Sequence, residues 1–220
     1  MIRIVSYLAL LCISATQAFA LDTFEQAKHE AEKIFVGPLA VDIYCGCKYD
    51  ANKNIDFASC GYKAHFLKRA RRMEWEHVLP AYFFYRNLPC YRVGGRKACR
   101  RTSQVFRRME GDLHNLRPAV GELNAIRSNK PYGLVRPKIK NYGRCDFYSN
   151  KDFAEPPDDM KGDVARITLY MIQKYRLTMP LNFVMLMRRW NLVDPVTEQE
   201  RMINRRIQKV QGDFNPFVGY

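Results

Sequence analysis

The chain has 220 residues, of which 47% are hydrophobic, and 36 Lys and Arg stand against 22 Asp and Glu for a formal charge of +14. No stretch offers the about 20 uninterrupted apolar residues of a membrane span, and the sequence shows neither an internal repeat nor a low-complexity tract. The charge excess favours a polyanionic partner, and no recognisable base-reading module accompanies it, so contacts to phosphates with little sequence preference are expected.

Arg3, the apolar run from Ile4 to about Ala15 and the small-residue pattern Ala18-Phe19-Ala20 predict a secretory leader over residues 1–20. After it, Asp22 and Thr23 are placed to cap a helix with Phe24, Ala27, Ala31 and Ile34 on one face, ending near Gly37-Pro38. Val41 to Tyr44 reads as a short strand, and residues 63–72, with the basic run KRARR at 68–72, read as a loop or helix leading into a strand over EWEHVLP. Residues 86–104 read as a long irregular insertion. A second strand is predicted over 112–116, then a helix opened by Pro118 and running to about Ser128. The Pro-, Gly-, Asn- and Asp-rich stretch 130–160 reads as surface loops. Three helices follow: one presents Val164, Ile167, Thr168, Met171, Ile172 and Tyr175, a shorter one runs from Leu181 to Trp190, and the last carries Met202, Ile203, Ile207 and Val210 before Gly212 stops it. The expected fold class is α+β, a mostly helical single domain over 21–220 with long loops.

Loss of the leader removes Cys12 and leaves six cysteines, at 45, 47, 60, 90, 99 and 145, in a chain bound for an oxidising compartment. Three disulfides are the natural reading. Cys90 and Cys99 bracket Gly94, Gly95 and Arg96 and are expected to pair; the other four allow three connectivities, which the sequence leaves open. The rival is a zinc site built on Cys45-x-Cys47.

The chemistry is concentrated in residues 73–129. Glu76 offers a hard oxygen ligand for a divalent cation, and the adjacent His77 a base that titrates near neutral pH. Some 40 residues on comes His114-Asn115-Leu116-Arg117-Pro118, then a helical stretch holding Asn124, whose amide oxygen is a second candidate ligand. One carboxylate, one amide and several waters suit Mg²⁺. Phosphodiester cleavage develops charge on oxygen, so a cation, a guanidinium and a placed base are each useful. His114 is expected to pack or to support the site, Glu74 and Glu110 are expected to support it, and His29 and His65 lie outside any motif.

The segments YCGC (44–47), SCGY (59–62), EWEHVLPA (74–81), GGRKAC (94–99), DLHNLRPAVGELNAIRSN (112–129), YGRC (142–145) and QGDFNPFV (211–218) give the chain a resemblance to the bacterial endonuclease I family, secreted or periplasmic members of the ββα-metal (His-Me finger) nucleases. The resemblance implies a ββα-metal finger over about 73–129, with His77 as general base, Glu76 and Asn124 as the two protein ligands of one Mg²⁺, for which Mn²⁺ or Ca²⁺ can substitute in binding, and Arg96 on the phosphate. It implies that Asn115 braces the catalytic loop, and that products carry 5′ phosphates. The chain departs from the family near its C-terminus: many relatives have two further cysteines there, whereas Gln199 stands at one such place and the other is missing, so a looser C-terminal segment is expected.

Taken together, these readings predict a periplasmic or secreted, monomeric, Mg²⁺-dependent, nonspecific endonuclease acting on DNA and, as a second substrate, RNA. The rivals are a basic, disulfide-bonded protein that binds DNA without cutting it, and a secreted ribonuclease.

Overall fold

The computed structural model describes residues 21–219; the predicted leader and Tyr220 lie outside the described residues. Helix α1 (Phe24–Ile34) starts where expected, with the Thr23 side chain accepting from Gln26 N. Its buried face, Ala27, Ala31 and Ile34, packs with Ile203 and Ile207. The strand expected at 41–44 does not form. Asp42 draws the backbone N–H groups of Tyr44, Cys45 and Cys47 onto its carboxylate at 2.7–3.1 Å and closes the segment into a turn. Only an isolated bridge, Val41 to Lys48, remains of the pairing.

After α2 (Leu67–Ala70), β1 (Met73–His77) pairs antiparallel with β2 (Leu116–Val120), setting Glu76 opposite Arg117 and His77 opposite Leu116; α6 (Gly121–Arg127) follows directly. The strand and helix both begin later than the sequence suggests. Residues Leu113–Asn115 instead make a 3-10 turn, because the Asp112 side chain accepts from His114 N and its carbonyl from Asn115 N. Pro118 lies within β2 and does not open the helix. Val78 N donates to Asn115 O and Gly121 N to Arg72 O, so Trp75–Pro118 falls at a non-hydrogen-bonded pair. The missing N–H therefore costs β1 nothing, while the Pro118 carbonyl accepts from Ile43 N on the other side at 2.8 Å. The helix begins at Gly121, where a Cβ would come within 2.6 Å of Arg69 O and 2.8 Å of Arg72 O.

The insertion between the strands is helical rather than irregular: α3 (Ala81–Tyr85), α4 (Pro89–Thr102) and α5 (Gln104–Glu110). Pro89 suits the first turn of α4. The two glycines break the helix in place instead of forming a loop, with Gly95 at φ 58°. Arg96 is thus a helical residue just past a kink, not part of a turn. The Cys90–Cys99 disulfide spans the break.

The loop region carries the two-residue strands β3 (Tyr148–Ser149) and β4 (Ala154–Glu155) and a 3-10 turn over Asp158–Met160. Beyond it α7 (Lys161–Tyr175), α8 (Leu181–Val193) and α9 (Glu198–Gln211) match the predicted periodicities. Helix α7 is buried along most of its length, at Gly162 and from Val164 to Met171. Helix α9 opens on a Thr197–Glu200 capping box and stops at Gly212, φ 90°. The C-terminal segment expected to be loose is tied down by polar groups. Asn204 Nδ2 donates to the carbonyls of Asn215 and Gly219, and Asn204 Oδ1 accepts from Asn215 N at 2.8 Å.

The fold is a single α+β domain, and disulfides Cys45–Cys145 and Cys47–Cys60 settle the open connectivity. They also exclude a zinc site at Asp42, Cys45 and Cys47, whose sulfurs are oxidised in bridges. Among the described residues no helix is long and apolar enough to cross a membrane.

Candidate active site

The C-terminal end of β1, the start of α3, the second half of α4 and the end of α6 enclose a cleft of about 440 Å³ lined by Glu76, His77, Arg96, Arg100, Asn124 and Arg127. All four residues singled out from the sequence therefore meet in one place.

His77 is 8% exposed and its Nε2 lies 2.8 Å from the carbonyl of Glu110. A carbonyl can only accept, so Nε2 carries the proton and Nδ1 keeps its lone pair. Burial, reinforced by the charge of Arg96, lowers the imidazole pKa to about 4, so the ring is neutral near pH 7. Phe24 packs against the ring at 4.9 Å and fixes its other side.

Glu76 is 2% exposed. Its Oε1 accepts from the Tyr44 hydroxyl at 2.8 Å and lies 2.7 Å from Arg127 Nη1. Burial raises the carboxyl pKa to about 7, against the opposing pull of Arg127 and the Tyr44 hydrogen bond. Both partners take the same oxygen, which leaves Oε2 for a ligand in the cleft. Asn124 donates through Nδ2 to Glu74 Oε2 at 3.0 Å, and Glu74 is itself held by Arg69 and Arg72. The amide oxygen of Asn124 is then the end available to a cation.

These donors fit a small hard cation. One carboxylate oxygen and one amide oxygen leave most of a coordination shell to water and substrate, as Mg²⁺ prefers. Arg127 offsets the charge of Glu76, so protein alone gives such an ion little net attraction, and a phosphate in the cleft would supply the rest.

Arg96 and Arg100 both bind the buried carboxylate of Glu110 through Nε, at 2.6 and 2.8 Å, which leaves their terminal nitrogens for an anion. Glu110 thus sets the His77 tautomer through its backbone and places two guanidinium groups through its side chain.

Asn115 is fully buried behind the strand that carries His77. Its Oδ1 accepts from Leu79 N at 2.7 Å, its Nδ2 donates to Leu79 O at 2.9 Å, and its carbonyl accepts from Val78 N at 3.0 Å. The turn after His77 is thereby braced. His114 is buried away from the cleft, its ring packed at a tilt against Tyr170 with centroids 4.6 Å apart.

Sequence reading missed Arg127 and Tyr44. Arg127 had a signal, since it lies three residues beyond Asn124 on the same helix and so on the same face. It also donates to the carbonyls of His77 and Val78. Tyr44 had no local signal; it sits 32 residues from Glu76 in sequence and reaches it only through the disulfide-bounded turn.

The sequence matches the Endonuclease I family over residues 27–220. It is 38% identical over 218 residues to an extracellular deoxyribonuclease of Aeromonas hydrophila, covering 96% of this chain and 94% of that one. It is 37% identical over 218 residues to a periplasmic deoxyribonuclease of the same organism, covering 96% and 91%. It is also 37% identical over 204 residues to an Endonuclease-1 of Buchnera aphidicola subsp. Acyrthosiphon pisum, covering 90% and 81%.

Proposed function

The chain belongs to the endonuclease I family and is an exported nuclease, and from that premise we propose that it hydrolyses phosphodiester bonds of DNA, and secondarily RNA, without sequence preference, using one Mg²⁺ held by Glu76 and Asn124. It acts as a monomer after removal of residues 1–20, and its products carry 5′ phosphate and 3′ hydroxyl ends.

His77 takes the proton of the attacking water at Nδ1, because Nε2 is occupied by the Glu110 carbonyl. In the resting protein His77 is a weak base, held down by burial and by Arg96. A phosphate bound to Arg96 cancels that second influence and makes the imidazole more basic when substrate is present. Arg96 and Arg100, aimed by Glu110, face the charge that develops on the phosphate oxygens. When bound, the ion draws charge from the phosphate and stabilises the leaving 3′ oxygen. Tyr44 and Arg127 fix the carboxylate of Glu76 so that its orientation is set before substrate arrives.

The observation that carries this reading is the 2.8 Å contact of His77 Nε2 with the Glu110 carbonyl, which leaves Nδ1 as the free nitrogen in a cleft shared with Glu76, Asn124 and Arg96. The test incubates the mature protein with plasmid DNA and with RNA, in Mg²⁺ or in EDTA, beside His77→Ala. Cleavage in Mg²⁺, none in EDTA, and a rate about 10²- to 10⁴-fold lower for a folded His77→Ala are expected. Activity that survives EDTA overturns the metal assignment. A variant near the wild-type rate overturns the base.

A further inference from the structure

Beside the cleft, the short helix α3 and the first turn of α4 display an aromatic cluster that hydrolysis itself does not use. Tyr82 and Tyr85 reach into the cleft wall. Tyr91, 38% exposed, lies 5.5 Å from the Tyr85 ring and 6.4 Å from the Tyr82 ring, and Tyr82 meets Tyr85 edge to face at 5.9 Å. The Tyr85–Tyr91 pair is tilted by 44° and the other two pairs meet near edge to face, and each of the three rings keeps part of its surface exposed.

The cluster is anchored and charged. Tyr85 rests edge-on against buried Phe106 at 5.6 Å. The Arg86 guanidinium lies 5.6 Å from the Tyr82 ring and 5.1 Å from the Phe83 ring, so a cation backs the outer rings. The Cys90–Cys99 bridge ties the turn that carries Tyr91 to the helical half that carries Arg96. Tyr91 and the phosphate-facing arginine are therefore held on two sides of one covalent staple.

Half-exposed tyrosines beside a basic cleft have nothing to stack on in a duplex, whose bases are buried against one another. An unpaired strand offers every base face to such a platform. We propose that Tyr82, Tyr85 and Tyr91 form a ledge on which bases of a single strand stack while a phosphate of that strand lies in the cleft, so that the chain binds unpaired nucleic acid in preference to duplex. This rests on the nuclease reading of the cleft. The ledge is continuous with the cleft through Tyr82 and Tyr85, and Arg86 at the outer rings with Arg96 and Arg100 in the cleft wall supplies charge of the sign a strand requires.

The test measures binding in EDTA at fixed salt, by fluorescence anisotropy, of three labelled probes of one length: an oligothymidylate, a strand of abasic spacers with the same phosphates, and a duplex. Wild-type protein is expected to hold the oligothymidylate most tightly. Tyr91→Ala is expected to weaken that probe about 5- to 100-fold, the value of one stacked base, while abasic and duplex binding stay unchanged; Tyr91→Phe, which keeps the ring, is expected to bind as wild type. Equal wild-type affinity for oligothymidylate and abasic strand overturns the ledge, as does a Tyr91→Ala loss shared by all three probes. Cleavage in Mg²⁺ is scored separately: a wild-type protein that discriminates the probes but cuts nothing overturns the nuclease reading and leaves the ledge standing.

Discussion

His77 and Glu110 are joined by a 2.8 Å hydrogen bond from the imidazole Nε2 to the backbone carbonyl, and the side chain of the same glutamate binds Arg96 and Arg100. One residue at the end of α5 therefore orients the proposed base and the two guanidinium groups proposed to face the phosphate. Its two roles can be separated, because substitution changes the side chain and leaves the carbonyl in place.

Glu110→Gln is expected to lower kcat by about 10- to 100-fold, the equivalent of losing one charge-assisted hydrogen bond of ~1.5–3 kcal/mol at the arginines. Steady-state cleavage of a defined oligonucleotide checks this, with the fold monitored by circular dichroism. An unchanged kcat would show that Arg96 and Arg100 need no positioning.

Asn115→Ala removes both side-chain hydrogen bonds to Leu79 and leaves the buried N–H and carbonyl of that residue unpaired. A destabilisation of about 2–4 kcal/mol is expected, since each orphaned group costs about 1–3 kcal/mol. Urea unfolding reads it as a lower midpoint at constant m-value. A midpoint equal to wild type would mean that the turn after His77 holds itself.

Arg166 is fully buried in α7 and makes a two-point ion pair with Glu200 of α9, at 2.6 and 2.8 Å. Arg166→Met leaves that carboxylate buried without its cation, and a loss of about 3–5 kcal/mol is expected. The double variant Arg166→Met, Glu200→Leu is expected to recover much of the loss, because it removes the stranded charge as well. Denaturation of the three proteins side by side decides between charge stranding and lost packing.

Asp112 is buried, and burial by itself would raise its pKa; Lys174 at 2.7 Å, with His114 and hydrogen bonds including that of Gln211, reverses this and holds the carboxyl below its ordinary 3.8. A carboxyl depressed in the folded state stabilises fully above its unfolded pKa and loses that contribution as pH falls through the folded value. Wild type is therefore expected to lose stability below about pH 4, more steeply than Asp112→Asn, which starts weaker at pH 7 and carries no charge to lose. Thermal melts from pH 7 to pH 2 give the comparison, and parallel curves would remove Asp112 from the acid response.

Much of the architecture was legible because it is written in local periodicity. The apolar positions of α1, α7 and α9 repeat at helical spacing, and Thr23 and Gly212 punctuate them. The misplaced boundaries lie where a side chain competes with the backbone or where a non-local contact decides. Asp42 folds a strand-like sequence into a turn, Asp112 coils the segment before β2, and Pro118 is tolerated in a strand only because its partner pairing leaves its nitrogen unneeded.

The sequence by itself determined the donor types at 76, 77, 96 and 124, the helical phase of the flanking elements and the supply of six cysteines, since these depend on residue identity and spacing along the chain. Tertiary structure alone decided how Cys45, Cys47, Cys60 and Cys145 pair, that Tyr44 and Arg127 grip Glu76, that Glu110 joins the proposed base to the arginines, and that three tyrosines gather beside the cleft. Apart from the tyrosines, those relations link positions ten to a hundred residues apart, and only folding turns distance along the chain into contact distance.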